Sequence, residues 1–135
     1  MPKLPVGHGE TVLIIDEERE QLLRDEDILA ALGYEPVGFT EGADALTACR
    51  ASPDRFDVVV VGHVAPSAAL DLARALHAIV PDRPILLATA SADEIGADAL
   101  MAAGISEILG WRFRSTDIAP ALFRCLAPLR VSLAP

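Results

Sequence analysis

Four consecutive valines, Val58 to Val61, restrict this chain more than any other stretch. A β-branched apolar run with no polar alternation cannot be a half-exposed strand. It predicts the central strand of a parallel sheet covered by helices on both faces. Gly62 ends the strand and Pro66 fixes the loop beyond it. In open α/β sheets, ligands and chemistry gather beyond the carboxyl ends of the central strands. What stands at Gly62 therefore governs what the chain can do, and glycine brings no side chain.

The flanking sequence repeats the pattern. Residues 11–15 read as a buried strand ending at Asp16 and Glu17. A helix over about 18–32 follows, with an apolar stripe at Leu22, Ile28, Leu29 and Leu32, and Gly33 stops it. Its acidic first turn, Glu17, Glu18 and Glu20, complements the positive end of a helix dipole. Residues 35–39 form a short strand read as an edge, and Thr40 can cap a helix over about 41–51 with Ala45, Leu46 and Cys49 inward. Beyond the valines, Ser67 is placed to cap a helix over 68–79 that shows Leu72, Ala75, Leu76 and Ile79 on one side. Residues 84–88 form the next strand, ending at Thr89. An alanine-rich helix over 92–103 contains Gly96 and is expected to be loosely held. A last strand at 107–109 precedes a helix over 115–127 carrying Ile118, Leu122, Cys125 and Leu126. Residues 1–9 read as a flexible lead-in, 10–127 as one domain, and 128–135 as an irregular tail.

Five strands alternating with five helices require right-handed crossovers and a parallel sheet. The expected architecture is α/β: a flavodoxin-like (βα)5 three-layer sandwich with strand order 2-1-3-4-5. That order brings Asp16, Glu17 and Gly62 to one crevice, with Thr89 at the end of the neighbouring strand.

Composition narrows the function classes. The 135 residues, 52% of them hydrophobic, suit one domain with one proper core. A balance of 20 acidic against 11 basic residues, net −9, disfavours nucleic acid and anionic membrane surfaces. Cys49 and Cys125 lie in apolar helical patterns without metal-ligand spacing and read as small core residues. No apolar run reaches the ~20 residues of a membrane span, and the N-terminus lacks a signal peptide's apolar core, so a reducing cytoplasm is expected.

Around the crevice, the adjacent carboxylates Asp16 and Glu17 can hold a hard cation or simply serve the helix dipole. Thr89 can hydrogen-bond a phosphoryl oxygen or merely end its strand. His63 is expected to point away from the carboxylates, because successive strand side chains face opposite ways. His8 and His77 receive no role. The loop Asp16-Glu-Glu-Arg-Glu20 would repel phosphate in the absence of a metal, which weighs against a flavodoxin-like nucleotide or flavin binder.

Several segments together resemble the receiver domain of two-component response regulators. They are Val12–Glu18, Leu32-Gly-Tyr34, Arg55-Phe-Asp57 with the valine run and Pro66, Pro81-Asp-Arg-Pro-Ile85, Thr89-Ala90 and Ala103-Gly104. The likeness covers roughly residues 10–127, and its wording is most similar to receivers at the C-terminus of hybrid sensor histidine kinases. The resemblance implies a phosphoacceptor aspartate four residues before the proline, which falls on Gly62. It places the metal-binding acidic pair at Asp16 and Glu17, the hydroxyl at Thr89, the lysine at Trp111 and the switch aromatic at Ile108. Acceptor and lysine are both replaced, so the pocket of Asp16, Glu17, Gly62, Thr89 and Trp111 reads as degenerate, with no catalytic residue. Asp16 and Glu17 would hold Mg²⁺ weakly at best, and no other cofactor is implied. The indole of Trp111 either fills the room beside Gly62 or lies at the surface beside Phe113.

The resemblance also implies a partner face on the fourth helix, fifth strand and fifth helix, here Ile108, Trp111, Arg112, Phe113 and Arg114. Exposed aromatics and arginines are typical interface anchors. The expected function is a non-enzymatic, phosphorylation-independent interaction module acting toward a histidine kinase or another two-component protein. It would contact neither nucleic acid nor membrane directly, in the cytoplasm or tethered to the inner membrane through a parent kinase; homodimerisation stays open. The alternatives are a phosphorylatable receiver with an unusual acceptor, and a flavodoxin-like small-molecule binder.

Overall fold

A computed structural model describes residues 4–90 and 92–133, the side chains of 66, 67, 92 and 128–133 lying outside that description. The strands are β1 (Thr11–Ile15), β2 (Glu35–Phe39), β3 (Val58–Val61), β4 (Ile85–Thr89) and β5 (Ile105–Gly110). The helices are α1 (Arg19–Ala31), α2 (Gly42–Ala51), α3 (Pro66–Ile79), α4 (Ala97–Ala102) and α5 (Ser115–Leu133). All neighbouring strands pair in parallel, in the order β2-β1-β3-β4-β5. This is the flavodoxin-like (βα)5 architecture that the alternation requires.

The valine run is central because both of its faces are covered. Val58 and Val60 join Val12, Ile14 and Leu86 under α1 and α5, with Leu22, Leu29, Ile118, Leu122 and Leu126. Val59 and Val61 join Leu13, Ile15, Ile85 and Leu87 under α2 and α3, with Ala45, Cys49, Leu72, Ala73 and Leu76. Each valine is fully buried, which contributes about 2 kcal/mol per side chain relative to exposure.

Elsewhere the chain departs from the sequence expectation for identifiable reasons. Residues 4–9, expected as a flexible lead-in, lie against the corner between α1 and β2. Gly7 N–H donates to Leu32 C=O at 2.7 Å, Gly9 N–H donates to Gly33 C=O at 2.8 Å, and Leu4 packs on the core. Gly33 has φ +92, and a Cβ there would meet Gly7 O at 2.7 Å, so this corner requires glycine twice over. Helix α2 is preceded by Glu41, which makes no side-chain cap bond, so Thr40 stands one residue too early to cap it. Helix α3 starts at Pro66, whose missing N–H is one of the unpaired donors of a first turn, and Ser67 falls inside the helix instead of before it.

The expected helix over 92–103 divides. Gly96 is extended (φ −70, ψ 149), leaving one 3₁₀ turn, Ala92–Glu94, and the six-residue α4 with no buried residue. Strand β5 is longer than 107–109, and the register against β4 shifts between Ile85 and Leu86, which skips Ser106. Helix α5 runs past residue 127 to Leu133 although Pro120 and Pro128 each remove a backbone donor. Burial of Ile118, Ala119, Ala121, Leu122 and Leu126 outweighs that loss. Among the described residues, no helix is long and apolar enough to cross a membrane.

Candidate functional site

The carboxyl ends of β1 and β3 meet at a buried acidic corner. Asp16 is fully buried, and its Oδ1 accepts the N–H of Glu18 at 2.9 Å, a local bond that shapes the turn into α1. Helix α1 returns a second carboxyl to the same place. Asp25 is 1% exposed; its Oδ1 accepts Gln21 Nε2–H at 2.8 Å, and its carboxyl reaches Asp16. Burial pushes the Asp25 pKa up to about 7; the Gln21 bond works against this, and the Asp16 carboxylate adds to it. The Oδ2 atoms of both aspartates are buried without a hydrogen-bond partner, a cost that protonation of Asp25 reduces. Sequence reasoning assigned nothing to Asp25. Its spacing with Leu22, Leu29 and Leu32, however, places it on the inward face of α1.

Gly62 is buried at the same corner. Its N–H donates to Ile15 C=O at 2.7 Å, and a Cβ added to it would stand 2.8 Å from that oxygen and 3.2 Å from Asp16 Oδ2. A separation below 3.0 Å forces something to move, and here the obstacle is strand backbone. The room beside Gly62 is therefore taken by β1 and the Asp16 side chain. Trp111 is not among the nearest atoms, so the indole does not fill that space.

Above the corner opens a cavity of about 400 Å³ lined by Glu17, His63, Val64, Ala65, Ala88, Thr89, Ala90 and Trp111. The crevice thus holds Glu17 and Thr89 as expected, with Asp16 and Gly62 buried outside its lining. The His63 and Trp111 rings stack at 4.3 Å between centroids, tilted by 28°. This corrects the expectation that His63 faces away: β3 stops at Val61, and strand alternation no longer governs residue 63. The His63 carbonyl accepts the N–H of Glu17 at 3.1 Å, which ties the histidine loop to the β1 end. The Trp111 backbone N–H donates to Thr89 C=O at 3.2 Å, and the Trp111–Arg112 peptide is cis. The indole is half-buried, neither a plug at Gly62 nor a freely solvated ring. Arg112 is exposed, its Cζ 5.0 Å from the indole centroid, and it lines a separate depression with Glu18, Glu20, Gln21 and Arg24.

The expected partner face is only partly surface. Phe113 is 2% exposed and belongs to the core under α1 and α5, so its apolar ring is unavailable to a partner. Ile108 is half-buried. Arg114 is exposed, and its backbone N–H donates to Asp117 Oδ2 at 2.9 Å at the start of α5. Arg124 binds Glu107 across β5 and α5 at 2.6 Å, and Cys125 Sγ approaches the same carboxylate at 3.5 Å. Burial first, then Glu107, pushes the Cys125 thiol up to about 12, so both cysteines stay small packing residues, Cys49 being buried outright. The exposed aromatic of α5 is Phe123, at 46%. It falls between Leu122 and the ion-paired Arg124, and no motif marks it.

The corner offers few oxygen donors to a divalent cation. Asp16 is committed to Glu18 N–H and Asp25, Gly62 offers no oxygen from a side chain, and Glu17 is the carboxylate left at the cavity. Among the described residues, no group of three or more His, Cys, Asp or Glu could hold a metal ion.

No family profile matches the sequence. Solved structures do. A response regulator receiver domain from Clostridium thermocellum superposes with a TM-score of 0.81 at 21% identity, covering 92% of this chain and 99% of that one. A protein described as a pilus assembly protein (CpaE) from Burkholderia thailandensis gives 0.74 at 21%, covering 87% and 98%. The receiver domain of a sensor histidine kinase from Pseudomonas aeruginosa, with magnesium coordinated in its active-site cleft, gives 0.70 at 20%, covering 88% and 98%. In its strands, its helices and their order, this chain has the fold of the response regulator receiver domain.

Proposed function

We propose that this chain is a non-catalytic interaction module on a receiver fold, working without phosphorylation toward a histidine kinase or another two-component signalling protein. The observation that carries the reading is Gly62: the position at the end of β3 has no nucleophile, and Ile15 C=O leaves no space for one. Phosphoryl transfer asks a protein mainly for a nucleophile and for neutralisation of charge. Among the described residues, the cavity lining contains no lysine or arginine, which supports the same conclusion from the second requirement. Magnesium binding is weak at best in this reading, because one free carboxylate is a poor site for an ion that wants near-octahedral oxygen geometry.

The test is incubation with radiolabelled acetyl phosphate, and with kinase and ATP, alongside a titration with Mg²⁺ and beryllofluoride followed by Trp111 fluorescence. No stable label and no saturable change are expected. A second reading deserves one arm of the experiment, because the His63 ring lines the same cavity as Glu17 and Thr89. Acid-labile label that disappears in His63→Ala would establish that alternative acceptor.

A further inference from the structure

The cavity at the carboxyl ends of β3, β4 and β5 has the reverse of phosphate-binding chemistry. Its floor is small and apolar, from Val64, Ala65, Ala88 and Ala90, and none of its eight lining residues is a lysine or arginine. Two backbone acceptors at its edge are already used: His63 C=O by Glu17 N–H and Thr89 C=O by Trp111 N–H. The charge it presents is the Glu17 carboxylate, exposed and in no ion pair among the described residues. Acidic residues flank it in sequence, Glu18 and Glu20 on one side, with Arg19 between them and Arg24 in the same depression, and Asp93 and Glu94 on the other, all four carboxylates exposed. Arg112, which could have offset this, sits over the indole and lines the neighbouring depression.

Such a lining favours a cation with an apolar stem. The Trp111 ring is already engaged by the Arg112 guanidinium at 5.0 Å and by the stacked His63 ring at 4.3 Å, so the group that faces an incoming cation is the Glu17 carboxylate. A volume of about 400 Å³ lies at the small end of ligand pockets, room for a side chain but not for a dinucleotide. The net charge of −9 adds long-range attraction for a basic surface. Resting on the reading of a contact module, we propose that this cavity receives a lysine or arginine side chain from a basic segment of a protein partner. The alkyl stem lies on the alanine floor, the head group meets Glu17, and neighbouring basic residues run along the flanking acidic residues.

Trp111 is the sole tryptophan, so its emission reports on the cavity directly. The full chain is titrated with the acetylated, amidated peptide Gly-Lys-Gly-Lys-Gly, its norleucine analogue, n-butylammonium chloride and sodium phosphate. A saturable change is expected with the lysine peptide, tighter than with butylammonium, and none with the norleucine peptide or phosphate. Glu17→Gln should weaken the lysine peptide about fivefold, and raising salt from about 50 to about 300 mM should weaken it comparably. Asp82→Asn, the same charge change on an exposed residue of the turn before β4, should leave affinity unchanged. The proposal is overturned by no response to the lysine peptide, by equal affinity in Glu17→Gln, by an equal norleucine response, or by tighter binding of phosphate. Equal affinity for butylammonium would also overturn it, pointing to a free small cation in place of a partner. Failure of the peptide without phosphoryl labelling leaves the contact-module reading standing on another face, whereas labelling overturns that reading whatever the peptide does.

Discussion

Asp25 couples the acidic corner to pH. Its folded pKa of about 7 lies above the ordinary 3.8, so between those values the native protein holds a proton that the unfolded chain has released. Native stability therefore falls as pH rises through that window, with a limiting slope of about 1.4 kcal/mol per pH unit, and levels off above it. Asp25→Asn keeps a partner for Gln21 and supplies a donor to Asp16 without any charge. It should flatten the profile and raise stability at pH 8, read by urea unfolding at pH 5 and pH 8. At Gly62 the issue is space. Gly62→Ala must displace the Ile15 peptide, which lies 2.8 Å from the new Cβ, and should cost about 1–3 kcal/mol in the same assay. A wild-type-like midpoint would show that β1 yields at that point.

At the level of elements, what was legible in the sequence was what one-dimensional pattern controls. The apolar runs of β1, β3 and β4 marked the inner strands, since a fully apolar strand has no alternative to burial on both faces, and the alternation with helices led to the strand order. Helix α4 was less legible: alanine favours helix everywhere, and nothing local announces that Gly96 will be extended. A Cβ at Gly96 meets nothing within 4 Å, and its φ is open to any residue. Gly96 is also the N-cap of α4, where glycine is preferred to alanine, so Gly96→Ala should gain through the unfolded chain about what it loses at the cap and leave stability within about 0.5 kcal/mol, read as an unchanged thermal midpoint. The acidic pair and Thr89 were legible as strand ends, but their separation into a buried Asp16 and an open Glu17 was not. It depends on Asp25 arriving from α1, a contact between turns that no short motif encodes. His63 and Phe113 were misjudged for a shared reason: each lies just beyond or before a regular element, where periodicity stops being informative.

Taken whole, the molecule joins a neutral, tightly packed sheet to a strongly acidic exterior. The −9 net charge, spread largely over exposed α1 and loop positions, repels itself in the compact state. Thermal stability should increase as sodium chloride is raised from about 50 to about 500 mM, where the screening length contracts to a few ångströms. A flat response, followed by circular dichroism, would mean that local pairs such as Arg124–Glu107 already balance the field.

The strap made by residues 4–9 has a mechanical consequence. Its two backbone bonds fasten it to the residues that separate α1 from β2, at Leu32 and Gly33. Torque applied at Leu4 is then delivered to the rim of the sheet with little slack. The segment from Leu4 to Gly9 therefore shares the rotational diffusion of the domain, as a handle does, and does not swing as a pendant.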